Sequence, residues 1–216
     1  MDAVMHREPS TLRITTHKQY ESSTILTPSS VKPSPLVQFD EWFAEAADSG
    51  VKEPEAMSLS SCTRTGIPSS RIVLLKQVDS RGFVFFTNYM SRKSRELTDN
   101  PHAALAFYWR EVSRQVRVVG TVEKISRAES EVYFKSRPLG SRIGAWASRQ
   151  SNTVREGEVA ERVQEMKEQF GVTDEASEEH DIPLPEFWGG WRIIPKCVVV
   201  LGLRVHAILI WFSLAQ

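Results

Sequence analysis

At 216 residues the chain is long enough for one main domain, whereas two equal halves would each have only a modest core. Lys plus Arg and Asp plus Glu both number 27, so the formal charge is zero. That excludes a global electrostatic attraction to nucleic acid or an anionic membrane, and any basic site has to be local.

Residues 1–35 are rich in Ser, Thr and Pro without a sustained period and read as a mobile arm. Residues 1–20 mix acids with bases and lack an apolar run of signal-peptide length, which argues against secretion or a transit peptide. The main domain is expected over residues 36–203. In it Leu36, Phe39, Trp42, Phe43 and Ala46 recur at three and four, which predicts an amphipathic helix ending near Gly50. Strands are expected at 57–63, at 70–78 as one run, and at 82–87, closely spaced and therefore antiparallel. A short helix capped by Ser91 and closed by Asn100-Pro101 precedes a long hairpin of strands at 103–109 and 115–125.

Ser126 opens a further helix, with Ala128, Val132 and Tyr133 on related faces, and Ser141 is placed on a Gly-rich bend. A charged helix at 155–170, a solvated acidic loop at 174–181 and a last strand at 192–201 follow. The lack of regular strand–helix alternation points to an α+β, mainly β, barrel-like domain. Cys62 and Cys197 lie far apart without metal-type or redox-type spacing, consistent with a reduced, cytoplasmic setting and no metal site.

Residues 204–216 form an atypical apolar tail. The stretch from Cys197 to Ala215 approaches the length of a membrane span, but Arg204 and His206 lie at its middle, and a central Arg costs roughly 2.5–3.5 kcal/mol on insertion. A membrane anchor is therefore the minor reading.

Four segments carry candidate chemistry. In Arg71-Ile72-Val73-Leu74-Leu75-Lys76, strand alternation puts Arg71, Val73 and Leu75 on one face and Ile72, Leu74 and Lys76 on the other. Taken alone, this is a buried strand whose charged ends reach water. Phe86-Thr87 lead to Ser91-Arg92-Lys93 at a helix start, where cations, N–H groups and the helix dipole suit a phosphate, or where Ser91 merely caps the helix and the cations face solvent. Gln115 on its strand can offer a donor and an acceptor to a heterocycle edge, or be an exposed edge residue. Tyr133 and Arg137, spaced for one helical turn, with Ser141, can present a hydroxyl and a guanidinium to a phosphate monoester.

In this order the strings R-I-V-L-L-K (71–76), F-x-T-N-Y-x-S-R-K (85–93), A-L-x-F-Y-W (104–109), R-Q-V-R-V-x-G (114–120), Y-F-x-S-R-P-x-G-S-R-I-G-A-W-A-S-x-Q-S (133–151) and W-G-G-W-R (188–192) resemble the pyridoxamine (or pyridoxine) 5′-phosphate oxidase family. The resemblance implies an FMN-binding split barrel that works as a homodimer, with the flavin site between the two subunits. It assigns FMN contacts to Arg71, Ile72, Val73, Leu74, Leu75, Lys76, Phe86, Thr87, Arg92, Lys93, Gln115, Gln150 and Ser151, and substrate phosphate contacts to Lys76, Tyr133, Arg137 and Ser141. It further implies oxidation of pyridoxamine or pyridoxine 5′-phosphate to pyridoxal 5′-phosphate with dioxygen as acceptor. No side chain has to act as a catalytic base, because the flavin carries the redox chemistry. His17-Lys18-Gln19-Tyr20 is similar to the family's basic-residue-to-Tyr segment near the amino terminus.

The resemblance stops after Pro195. The family's Phe-Trp-Gln-Gly-like strand end and its Arg-Leu-His-Asp-Arg-like motif have no counterpart, although Arg204 and His206 keep an Arg-x-His spacing. A missing closing hairpin would leave a bare strand edge and loosen flavin retention. The alternative function is therefore a catalytically impaired homologue that binds FMN or pyridoxal phosphate.

Overall fold

A computed structural model describes residues 5–8, 11–14, 26–27, 29–173, 180–202 and 208–213. His17 to Tyr20, most of the acidic loop, and Arg204 and His206 lie outside the described residues. Within the expected arm, β1 (Met5–Glu8) and β2 (Thr11–Ile14) pair as a separate antiparallel ribbon. The helix α1 (Pro35–Asp48) begins at a proline, which gives up no needed N–H there, and turns Phe39, Trp42 and Ala46 inward. Phe39 meets Phe83 edge-on at 5.0 Å and Phe107 at 4.9 Å, which plugs one end of the core with aromatic rings.

The main sheet contains β3 (Ala56–Cys62), β4 (Pro68–Leu74), β5 (Gln77–Asp79), β6 (Gly82–Asn88), β7 (His102–Trp109), β8 (Arg114–Lys124), β9 (Trp188–Gly202) and β10 (Ile208–Ser213). The strand order is β4-β3-β7-β8-β9-β6-β5, with β10 also on β9, and every pairing is antiparallel. Leu75 and Lys76 alone separate β4 from β5, and three Cα steps span at most ~11 Å. The two ends of the strand order are therefore neighbours in space, and the sheet rolls into a split β-barrel. The architecture is thus the expected one, α+β and mainly β. The single strand anticipated over 70–78 is in fact broken at this seam. Leu75 N donates to Glu55 O and Lys76 N to Val84 O, both at 2.9 Å, so the backbone changes partner from one side of the barrel to the other.

Helices α2 (Arg92–Asp99), α3 (Arg127–Lys135), α4 (Leu139–Ala147) and α5 (Glu158–Gln169) flank the barrel. Three local expectations need correction. Ser91 precedes α2 but makes no side-chain cap; its hydroxyl lies 3.4 Å from the Lys93 ammonium and accepts from it. On α3, Val132 is 75% exposed and Ala128 is also outside, while Ser130 and Phe134 are buried, because Ser130 Oγ accepts from Gly190 N at 3.2 Å and fixes the helix on β9. The stretch read as a Gly-rich bend is α4, whose Leu139, Ile143 and Ala147 recur every four residues on a buried face. Phe134, Leu139, Ile143, Ile182, Leu184 and Trp188 form a second apolar cluster outside the barrel.

Two features of β9 pin the layers together. Gly189 and Gly190 have no room for a side chain: a Cβ at Gly189 would lie 2.3 Å from Tyr89 Oη, and one at Gly190 would lie 2.5 Å from Ile125 Cδ1. Arg192, 1% exposed, bonds Asp79 at 3.0 Å, Glu129 at 3.3 Å and Glu123 at 3.4 Å, joining β5, α3 and β8. The bare edge expected after Pro195 is filled over part of its length, since β10 pairs with β9 from Ile208↔Gly202 to Ser213↔Cys197.

Candidate active site

β4 alternates along the barrel seam. Ile72 and Leu74 point to solvent, while Ser69 and Arg71 turn toward α2. β6 ends at Phe86, Thr87 and Asn88, and the following turn delivers Arg92 and Lys93 on the first turn of α2. Beyond α4, Asn88 Nδ2 donates to Ser148 O at 3.3 Å, which docks the 148–151 segment against that turn. Ser151, with φ of 66°, adopts a left-handed conformation that few residues with a Cβ occupy, and its Oγ accepts from Arg92 N at 3.2 Å.

These segments enclose a cavity of about 590 Å³ lined by Ser69, Ser70, Arg71, Ile72, Val73, Leu74, Lys76, Phe86, Thr87, Arg92, Lys93, Tyr133, Arg137, Gln150, Ser151 and Trp188. The structure therefore brings most of the residues singled out in the sequence into one concavity. Three stand elsewhere. Leu75, at the break between β4 and β5, is buried in the barrel core. Gln115 sits on β8 between Tyr108 and Leu201. Ser141 lies in the first turn of α4. Ser69, Ser70 and Trp188 line the cavity without having been picked as site residues.

Besides the exposed Lys76, two cations of this cavity that are buried or half-buried have no ion pair among the described residues. Lys93 is 7% exposed, and its Nζ donates to Thr87 Oγ1 at 3.2 Å, Gln150 Oε1 at 3.2 Å and Ser91 Oγ at 3.4 Å, all neutral. Burial, and then the nearby Arg71 charge, hold its pKa down at about 8. Arg137 packs its guanidinium 4.8 Å from the Trp188 ring centre, and its buried Nη1 has no hydrogen-bond partner among the described residues. Burial lowers its pKa, while Tyr133 pulls it back up. Leaving such groups unpaired is costly, so their placement favours an anionic ligand. Phe86, Tyr133 and Trp188 stack nearly parallel beside them, with Phe86 and Tyr133 centroids 4.0 Å apart, and give the cavity an aromatic wall.

The third cationic group is differently arranged. Arg71 and Arg92 share the carboxylate of Glu96, which is 5% exposed. Burial alone would raise the Glu96 pKa, but donors from Ser61, Ser69 and Arg92 outweigh it and hold the pKa at about 2. Glu96 was missed in the sequence. A signal existed in its spacing of four from Arg92 and in the serine pairs of β3 and β4, where Ser60 faces Ser70 and Ser61 faces Ser69.

The sequence profile described as "Pyridoxamine 5′-phosphate oxidase" matches residues 43–179. A relative named pyridoxine/pyridoxamine 5′-phosphate oxidase from Psychromonas ingrahamii is 54% identical over 165 residues, 76% of this chain and 73% of its own. The chain belongs to the pyridoxamine 5′-phosphate oxidase family. A second relative of the same name, from Burkholderia mallei, is 51% identical over 178 residues, 82% of this chain and 79% of its own. Among solved structures, PhzG from Burkholderia lata, in complex with tetrahydrophenazine-1-carboxylic acid, superposes with a TM-score of 0.76 at 24% identity, over 90% of this chain and all of that one. A pyridoxamine 5′-phosphate oxidase-related, FMN-binding protein from Nostoc punctiforme reaches 0.63 at 14% identity, over 86% of this chain. At these identities the two structures speak for the split-barrel fold of the family and not for a substrate.

Proposed function

We propose that this chain is an FMN-dependent oxidase that converts pyridoxamine or pyridoxine 5′-phosphate to pyridoxal 5′-phosphate, with dioxygen as acceptor and hydrogen peroxide as product. One observation carries the reading: a single cavity holds the buried Lys93 and the half-buried Arg137, neither with a counter-charge among the described residues. Two phosphate-bearing ligands, a flavin mononucleotide and a phosphorylated substrate, account for both. The residues fit FMN. Arg71, Arg92, Lys93 and the Ser151 hydroxyl would hold its phosphate, while Thr87, Gln150, Phe86 and the strand 72–74 would face its ring system. When bound, FMN supplies the two-electron redox chemistry that the side chains lack.

This chain's own residues position and exclude. Arg137, Tyr133 and Lys76 would take the substrate phosphate, the guanidinium by a two-pronged contact. Trp188 and Phe86 wall off water on that side, which strengthens each charge–phosphate contact. No side chain must act as a strong base. A homodimer fits the outer rim, where Ile72, 67% exposed, and Leu74 present apolar surface beside the cavity and a second copy would cover it. Cytoplasmic residence is proposed on the same footing; among the described residues no helix is long and apolar enough to cross a membrane.

The test is the visible spectrum of the purified protein reconstituted with FMN, recorded without oxygen before and after adding pyridoxamine 5′-phosphate. Bleaching of the yellow chromophore, with peroxide released when air returns, is the expected result. Flavin retention without bleaching would instead support the impaired homologue, a reading favoured by Ala207-Ile208 following Arg204 and His206 where the family motif continues differently. No flavin binding at all would overturn both.

A further inference from the structure

Glu96 is a carboxylate set directly behind a wall otherwise built to attract an anion. Its Oε2 accepts from Ser61 Oγ at 2.6 Å, from Ser69 Oγ at 2.5 Å and from Arg71 Nη2 at 3.4 Å, and its Oε1 accepts from Arg92 Nε at 2.8 Å. The two serines are cross-strand partners on β3 and β4 and also accept from Arg71, Ser61 through Nη1 at 2.6 Å and Ser69 through Nη2. Leu59 O takes Nη1 as well, at 3.2 Å. Both terminal nitrogens of Arg71 are thus tied down on the protein side, while among the described residues Arg92 is tied by Nε alone, which leaves its outer nitrogens for the cavity.

We infer that Glu96 is a positioning residue of the phosphate site: it locks the guanidiniums of Arg71 and Arg92 side by side, so that with Lys93 they offer a fixed net charge of two to a phosphate dianion. This rests on the FMN reading above. Three adjacent cations with no carboxylate between them would repel one another, and long side chains left free would have to be ordered when the ligand arrives. Glu96 offsets one charge and orders both arginines beforehand. A phosphate monoester carries about −1.5 to −2 near neutral pH, which matches the charge that remains. The carboxylate is held ionised far below neutrality by its donors, so its hold on the two arginines persists from well below neutrality upward.

The decisive variant is Glu96→Gln, which preserves shape. Its amide oxygen can still accept from the serines and Arg71, but its NH2 then faces the Arg92 Nε–H, donor against donor, and Arg92 is released. The expected result, read by quenching of flavin fluorescence, is an FMN dissociation constant raised about tenfold or more. Riboflavin, which has no phosphate, should bind within about twofold of wild type, since the Glu96 carboxylate bonds Ser61, Ser69, Arg71 and Arg92 and does not itself line the cavity. In a double-mutant cycle, Glu96→Gln combined with Arg92→Gln should weaken FMN no further than Arg92→Gln alone. Equal losses for FMN and riboflavin, additive effects in the cycle, or tighter FMN binding by Glu96→Gln would each overturn the inference. If Glu96→Gln fails to fold, Ser69→Ala removes one donor to the same oxygen. It should weaken FMN and spare riboflavin, and an equal loss of both would again refute it. Inorganic phosphate separates the two levels of the argument. If wild type binds phosphate and Glu96→Gln binds it more weakly while neither takes FMN, the cofactor assignment falls and the positioning role stands. If wild type binds neither ligand, both fall.

Discussion

Lys93 gives the sharpest prediction, because its costs and its benefit appear in different measurements. The ammonium is buried among a threonine, a serine and a glutamine, and its pKa is about 8 against the ordinary lysine value of 10.5. Such a fall corresponds to ~3 kcal/mol at full burial. Solvent reaches the ammonium through the open cavity and screens it, so the penalty carried by the ligand-free protein is on the order of 1 kcal/mol. Lys93→Met should therefore raise the ligand-free melting temperature by ~2–4 °C. At the proposed FMN site the same change would remove a charge-assisted contact to the phosphate, worth roughly 1.5–3 kcal/mol, and should weaken FMN binding by ~10- to 100-fold. The sign with pH follows. With the folded pKa depressed, wild type is charged and FMN-competent below about 8, and affinity falls as pH rises through that value. In Lys93→Met that alkaline limb should vanish. Thermal melts without ligand and flavin titrations from pH 6 to 10 (~two units either side of 8) measure both effects. A variant that melts lower than wild type yet keeps its FMN affinity would refute the reasoning.

Arg137→Met keeps the apolar contact with Trp188 and Phe134 but loses the guanidinium. Steady-state kinetics should show KM for pyridoxamine 5′-phosphate raised by ~10- to 100-fold with FMN affinity unchanged, and an unchanged KM would remove Arg137 from the substrate site. Arg192→Met strands Asp79, Glu123 and Glu129 around a buried apolar side chain and should cost ~3 kcal/mol, the low end for a broken buried pair because the carboxylates are partly solvated. The Glu129 pKa is held at about 2 by Ser126 first and by Arg192 and Arg81 after it, so this stabilisation is present above the ordinary glutamate range and lost as pH falls toward 2. The gap in melting temperature between wild type and variant should close over that interval. Deleting residues 208–216 strips β10 from β9 and should promote concentration-dependent association through the bared edge, read by light scattering; a deletion that stays as monodisperse as the full chain would show that β10 protects nothing.

How far the sequence reveals this protein depends on the range of the interaction involved. Strands and helices with a clean local period were legible: α1 from its spacing of Phe39, Trp42 and Ala46, and β3, β6, β7 and β8 from alternation and turn chemistry. What misled were segments whose conformation is decided by distant partners. β4 and β5 read as one strand because nothing local marks Leu75 and Lys76 as the point where the backbone leaves Glu55 for Val84. α4 read as a bend because glycines at 140 and 144 lower helix propensity, yet a Cβ at either would meet nothing within 4 Å, so they lie on the open side, and the apolar stripe opposite supplies the stability. Ala128 and Val132 suggested the wrong face of α3 because the helix is fixed by the polar Ser130 contact to β9, which hydrophobic patterning cannot register.

The same division runs through the candidate site. Arginines, lysines and amides from three of the six recognisable strings, 71–76, 85–93 and 133–151, line one cavity, but charge type does not say which cations are free. Arg92 and Glu96, four apart on α2, look like a routine solvent-facing helix pair. Only the folded chain shows that this carboxylate is buried, that it also gathers Arg71, Ser61 and Ser69 from two strands, and that Lys93 beside it has been left with neutral partners. Affinity for an anion depends on that distinction: paired cations shape the wall, and in the proposed function unpaired ones such as Lys93 would repay their burial on binding a phosphate.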